Sequence, residues 1–181
     1  MNKKIRWITE TAIMLALLVT LQALTKPFGQ LVTGSCVNAI LAVSVLVGGL
    51  WSGLTIALVS PVLAFLLGIA PQILTVPAIM VGNSVFVLLL ALIAGGKKAT
   101  VVYRVVAWLA AAVAKFAALY AIVVKIICGV LAPTLMEAGT LKEPMLKALP
   151  ATFSWPQLFT ALIGGGIALV MVPVIKKALK R

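Results

Sequence analysis

The chain has 181 residues, 64% of them hydrophobic and 10% charged, and a mean hydropathy of +1.24. A soluble domain carries about 25% charged and about 45–50% apolar residues, so this composition excludes one and describes an integral membrane protein. The net charge of +12 is first a matter of topology, because the basic residues gather at the ends of apolar runs; a nucleic-acid partner would need one aromatic-studded basic surface, and none is expected.

A helical crossing needs about 20 residues, so the chain has room for about six and for no separate soluble domain; residues 1–181 read as one membrane domain. The first run, about 7–25, follows Lys3, Lys4 and Arg6 and stops at Lys26 and Pro27, where proline disfavours continuation. Its basic start and the small residues near Ala23 also fit a secretory signal peptide, the lesser reading. The second and third runs, about 34–49 and 52–69, are joined by a tight turn at Gly48 and Gly49 and form a helical hairpin. After a break at Ala70, Pro71 and Gln72, a fourth run covers about 76–94 and ends in a polar loop with Lys97 and Lys98. The fifth, about 100–131, spans 32 residues, more than one crossing needs, so it should tilt, bend or protrude. Residues 133–156 form the one long hydrophilic connection and read as a lid that orders over a ligand. The sixth run covers about 157–175.

Lys and Arg near span ends fix orientation. Lys3, Lys4, Arg6, Lys97, Lys98, Arg104, Lys176, Lys177, Lys180 and Arg181 fall on one side, against Lys26, Lys142 and Lys147 on the other. The expected fold is therefore an all-α, compact six-helix membrane bundle with both termini cytoplasmic. Trp7, Trp51 and Trp108 fall near inner boundaries and Trp155 at an outer one, as interfacial anchors do.

Absences limit the chemistry. There is no His and no Asp, and the acids are Glu10, Glu137 and Glu143 alone. A Ser/His/Asp triad, a His-ligated haem and a His/Asp metal site are excluded, and no phosphate-loop motif is present. No catalytic residue, metal or cofactor is expected. Cys36 and Cys128 are too few for a thiolate metal site or a disulfide framework and read as small apolar residues.

The polar residues inside apolar runs are the candidates. Lys115 and Lys125 lie in the fifth run, where no other span offers them an acid, and intramembrane ionisable groups are functional candidates by default. Counted from residue 100, Lys115 lies about 22 Å along a helix and Lys125 about 37 Å, so Lys115 is the deeper and Lys125 has snorkelling as an escape. At 100° per residue both could face one side. A ligand anion held by either would neutralise it; a deprotonated amine is the alternative. Asn38 and Asn83 sit in the outer halves of their spans, where an amide needs a partner or a ligand. Gln72, Tyr120, Trp155 and Gln157 could add hydrogen bonds and an aromatic wall. Hydrogen bonding between helices explains the asparagines equally well, and interfacial anchoring explains Trp155.

In the first run Ala12 and Ala16 lie one turn apart, and Thr20 and Ala23 continue the face. Such small-xxx-small strips allow close helix approach in lipid, either within the bundle or against a partner. With these alanines, the size, the topology and the missing catalytic groups, the whole chain resembles the substrate-binding S components of energy-coupling factor (ECF) vitamin transporters. The segments Thr9–Ala12, Gly29–Asn38 and Phe153–Gln157 look like runs in S components of uncharacterised specificity. The resemblance implies a six-helix binding subunit of an ABC-type importer in the bacterial plasma membrane. It implies docking through Ala12 and Ala16 on a transmembrane T component linked to two cytoplasmic ATPases, and toppling to deliver a vitamin-like ligand. It also implies a pocket at the outer segments Lys26–Asn38, Pro71–Asn83, Tyr120–Cys128 and Phe153–Gln157. A stand-alone secondary carrier, against which the lack of a mid-span acid or His argues, and a structural membrane subunit without a ligand remain the competing readings.

Overall fold

Glycine and proline set where the helices begin and turn. In the computed structural model, which describes residues 2–69, 72–95 and 100–179, helix α1 (Lys3–Thr25) runs into a 3-10 turn (Lys26–Phe28) that starts at the Lys26-Pro27 pair. Gly29 and Gly49, at φ 84° and 91°, adopt a conformation that L side chains resist, and each delivers the chain straight into the next helix, α2 (Gln30–Gly48) and α3 (Leu50–Leu66). A second 3-10 turn (Ile73–Thr75) precedes α4 (Val76–Ala94), with Pro77 in its first turn, where the missing N–H costs nothing. Ala70 and Pro71, from the break after the third run, and Lys97, Lys98, Lys180 and Arg181, counted to the inner side, lie outside the described residues.

The fifth run is α5 (Val101–Leu119), continuing as a π-helix over Tyr120–Val130. The connection expected at 133–156 folds into two short helices, α6 (Ala132–Glu137) and α7 (Glu143–Thr152), before α8 (Trp155–Ala178). Its apolar residues explain why it is not a solvated loop: Leu141, Leu149 and Phe153 are buried with Leu119, Val123 and Ile127 in a small cluster of their own.

The main core forms around α2, which packs on α1, α3, α4 and above all α8. In the most apolar window of each helix, 61% of α2 is buried against 11% of α1, so α2 is the axis of the bundle and α1 its outlying member. Among the described residues, five stretches are long and apolar enough to cross a membrane: Lys4–Phe28, Gln30–Gly48, Ile73–Ala94, Val101–Val130 and Trp155–Ala178. α3 is apolar but has 17 residues, about 26 Å at 1.5 Å per residue, slightly less than the hydrocarbon thickness of about 30 Å. No strand occurs among the described residues.

Small residues allow the central crossings. Gly34 on α2 faces Thr160 on α8, and Gly164 on α8 lies against Asn38 and the Ala39 backbone. Trp108, expected as an interfacial anchor, packs inward: it lies over Gly165 and Gly166 of α8 and donates from Nε1 to the Leu162 carbonyl at 3.0 Å. The absence of a Cβ at two adjacent glycines leaves room for the indole, and the Leu162 carbonyl accepts from its N–H.

Candidate functional site

The helix ends that meet opposite the two termini enclose a cavity of about 200 Å³. Gln22 from the end of α1, Lys26 from the 3-10 turn after it, Gln30, Thr33, Gly34 and Asn38 from the start of α2, Thr75 from the second 3-10 turn and Asn83 from α4 line it. Lys115 and Leu119 of α5, Thr152, Phe153 and Gln157 at the α7–α8 junction, and Gly29, Val37, Ile69 and Ile79 make up the rest of the wall. Its charged groups are both cations, because no acid lies on the lining.

Lys115 is the deepest of them. It is 3% exposed, and its Nζ donates to Asn38 Oδ1 at 2.6 Å and Asn83 Oδ1 at 2.7 Å, joining α5 to α2 and α4. The Phe86 ring lies 5.6 Å from the same nitrogen, within cation–π range. Asn38 is held independently: its Nδ2 donates to the Gly34 carbonyl at 2.9 Å and to Thr160 Oγ1 at 3.2 Å, and Thr160 Oγ1 donates to the Gln157 carbonyl at 3.0 Å. Asn83 has no such support, since its Nδ2 is buried without a partner among the described residues, as is Thr33 Oγ1. Charged donors strengthen hydrogen bonds, yet two neutral carbonyls do not cancel a buried charge, and neither described ion pair involves Lys115.

At the exposed rim, Lys26 Nζ donates to the Gly68 carbonyl at 2.7 Å and ties the α1–α2 connection to the end of α3. Gln157 Nε2 donates to the Thr152 carbonyl at 3.2 Å and fixes the α7–α8 corner.

The structure thus gathers Asn38, Asn83, Lys115 and Gln157 on one cavity and leaves Gln72, Tyr120, Lys125 and Trp155 off its lining. Gln72 starts the 3-10 turn, with its carbonyl accepting from Thr75 Oγ1 at 2.9 Å and its side-chain Oε1 buried without a partner among the described residues. Trp155 stacks on Phe116 with centroids 5.5 Å apart, Phe116 lies 5.8 Å from Tyr120, and Lys125 Nζ lies 5.7 Å from the Tyr120 ring, so these residues form a ladder with Lys125 exposed. The two lysines do not share a side. From Tyr120 onward the helix closes i→i+5 bonds, so the rotation of 100° per residue does not carry through to residue 125.

Gln22, Lys26, Thr33 and Thr160 are site residues that the sequence pattern did not single out. The nearest signal was positional, since Lys26 and Thr33 lie in the outer segment 26–38. The alanine strip has a clear placement: Ala12, Ala16, Thr20 and Ala23 are all exposed, while Thr11 on the other face donates to Ser52 Oγ of α3 at 2.9 Å. It is an outer face of the bundle and no internal seam.

No curated protein and no solved structure matches the chain. The family model that does match covers residues 6–176 and describes the substrate-specific component of ECF transporters.

Proposed function

The chain belongs to the family of ECF transporter substrate-specific components, and from that premise we propose that it captures a small vitamin-like molecule at the outer face of a bacterial plasma membrane. With five helices of spanning length among the described residues it is a multi-pass membrane protein, of a family that supplies substrate binding rather than catalysis. In this reading α3 is the sixth span, both termini are cytoplasmic, and the ligand is delivered by toppling when a T component and two ATPases act on the loaded protein.

One observation carries the reading: buried polar groups from α2, α4, α5 and α8 converge on one cavity at the end away from the termini. Ligand sites are concave, mostly apolar and furnished with a few polar groups that set orientation. At about 200 Å³ the cavity is smaller than the roughly 300–1,000 Å³ of sites for drug-sized ligands, which suits a small molecule. In this reading α7, whose last residue Thr152 lies on the lining beside Phe153, is the covering segment. The exposed Ala12–Ala16 face supplies the docking strip.

Mass spectrometry of the small-molecule fraction released by denaturing the gently purified protein tests the proposal. One defined compound at near-stoichiometric amount is the expected result. If nothing is retained and no vitamin raises the melting temperature, the protein is a structural subunit. Uptake into vesicles holding this protein alone, without T component or ATP, would make it a stand-alone carrier.

A further inference from the structure

We propose that the ligand is a small monocarboxylate seated with its carboxylate on Lys115; this rests on the binding function proposed above and names the substrate class of the same site. The argument starts from donor counting. An ammonium has three N–H donors, and Lys115 uses two of them, on Asn38 Oδ1 and Asn83 Oδ1. The third has no acceptor among the described residues. Asn83 contributes a second unused donor, because its Nδ2 is buried without a partner among the described residues. The amide cannot turn round to relieve this, since Lys115 needs its oxygen.

The deepest wall of the cavity therefore carries two neighbouring unused donors, one charged, and a carboxylate is the acceptor-only group with two oxygens to match. Charge points the same way. Lys115 is 3% exposed, and no acid lies on the lining. The three glutamates lie elsewhere: Glu10 pairs with Arg6, Glu143 with Lys147, and Glu137 is exposed on α6. A charge buried without a counter-ion is costly, and one monoanion offsets it. A phosphate would bring up to two charges to a single lysine with no arginine fork, and arginine forks are the usual answer to phosphate. Lys26, the other cation on the lining, is exposed and engaged with Gly68 at the rim.

The test compares matched pairs on the purified protein in detergent: nicotinate with nicotinamide, pantothenate with panthenol, and biotin with biotinamide, each read by thermal shift and isothermal titration. The small-molecule and lipid fractions released on denaturation are identified in parallel by mass spectrometry. A bound carboxylic acid that outcompetes its uncharged partner by more than tenfold is the expected result. Lys115→Met should erase that preference. Asn83→Asp should erase it too, by giving Lys115 a counter-ion within the protein and removing the Nδ2 donor, and it serves if the methionine variant does not fold.

An acid and its neutral partner that bind equally, or a neutral or cationic retained molecule, would overturn the carboxylate while leaving the binding function intact; that is also the outcome if Lys115 is a neutral amine. A phosphate ester, free or on a lipid, would overturn it likewise. If nothing is retained and no compound of the panel binds, both the binding function and this inference fall.

Discussion

At Gly164 the site and the fold depend on the same missing atom. A Cβ there would lie 2.6 Å from Asn38 Cβ and 2.7 Å from the Ala39 nitrogen, and backbone cannot swing aside as the end of a flexible side chain can. Overpacking a filled crossing costs about 1–3 kcal/mol. Gly164→Ala should therefore lower the melting temperature in detergent and, by shifting Asn38, loosen the acceptor that positions Lys115. Gly166→Ala is the control two residues away: the nearest atom to its added Cβ is in the Trp108 ring at 3.4 Å, an ordinary contact, and its melting temperature should match the parent's. Equal destabilisation by the two would mean that any methyl added to this stretch of α8, not the Asn38 crossing in particular, decides, since alanine's higher helix propensity acts the other way. This scale also shows what a sequence reveals of a site. Asn38, Asn83 and Lys115 stand out because an amide or an amine inside an apolar run has no solvent to satisfy it. Gln22 and Thr33 carry no such mark, since polar residues near span ends are ordinary. Gly164 and Trp108 were unreadable for another reason: their roles depend on the rotation of one helix against another, which nothing local encodes.

Helix α1 is held on one face and free on the other. Thr11, buried, bonds to Ser52, and Leu18 is buried in the main core, whereas Ala12, Ala16, Thr20 and Ala23 face outward. A strip of small residues on an exposed face has nothing of its own bundle to pack against, which suits a partner helix approaching closely in the membrane. Ala12→Leu and Ala16→Leu should abolish co-purification with the T component, while the isolated protein's stability stays within about 0.5 kcal/mol, as for surface substitutions generally. Loss of stability in the isolated variants would assign the strip to folding instead. Spacing alone could not make this distinction, because the same i,i+4 pattern serves an internal seam and a docking face; burial separates them. α6 and α7 show the converse limit. Their prolines and charges read as a loop, and it is the burial of Leu141, Leu149 and Phe153 against the π-helix, a contact distant in sequence, that makes them helices. The π-helix itself had only an indirect sign, a run too long for one crossing.

For the molecule as a whole, the division of charge between its two ends sets the orientation to be tested. The cavity lies at the end that carries Lys26, Lys142 and Lys147, and the opposite end carries the basic residues near both termini. Basic residues near span ends stay on the cytoplasmic side, so the cavity should face outward. The short α3 is the weak point of that topology. At 17 residues it must be matched by local thinning of the bilayer or by its flanking residues, and if it failed to cross, every later helix would be inverted relative to α1. Single cysteines placed in a background where Cys36 and Cys128 are replaced by alanine decide this. Lys142→Cys, exposed at the start of α7, should react with a membrane-impermeant maleimide in intact cells. Trp51→Cys, exposed at the α2–α3 turn, and Lys177→Cys, exposed near the end of α8, should react only after the membrane is permeabilised. Labelling of Lys142→Cys and Trp51→Cys from the same side would show that the stretch between them crosses an even number of times and that α3 does not span. Reversal of all three would put the cavity on the cytoplasmic face, where it could not capture a nutrient from outside.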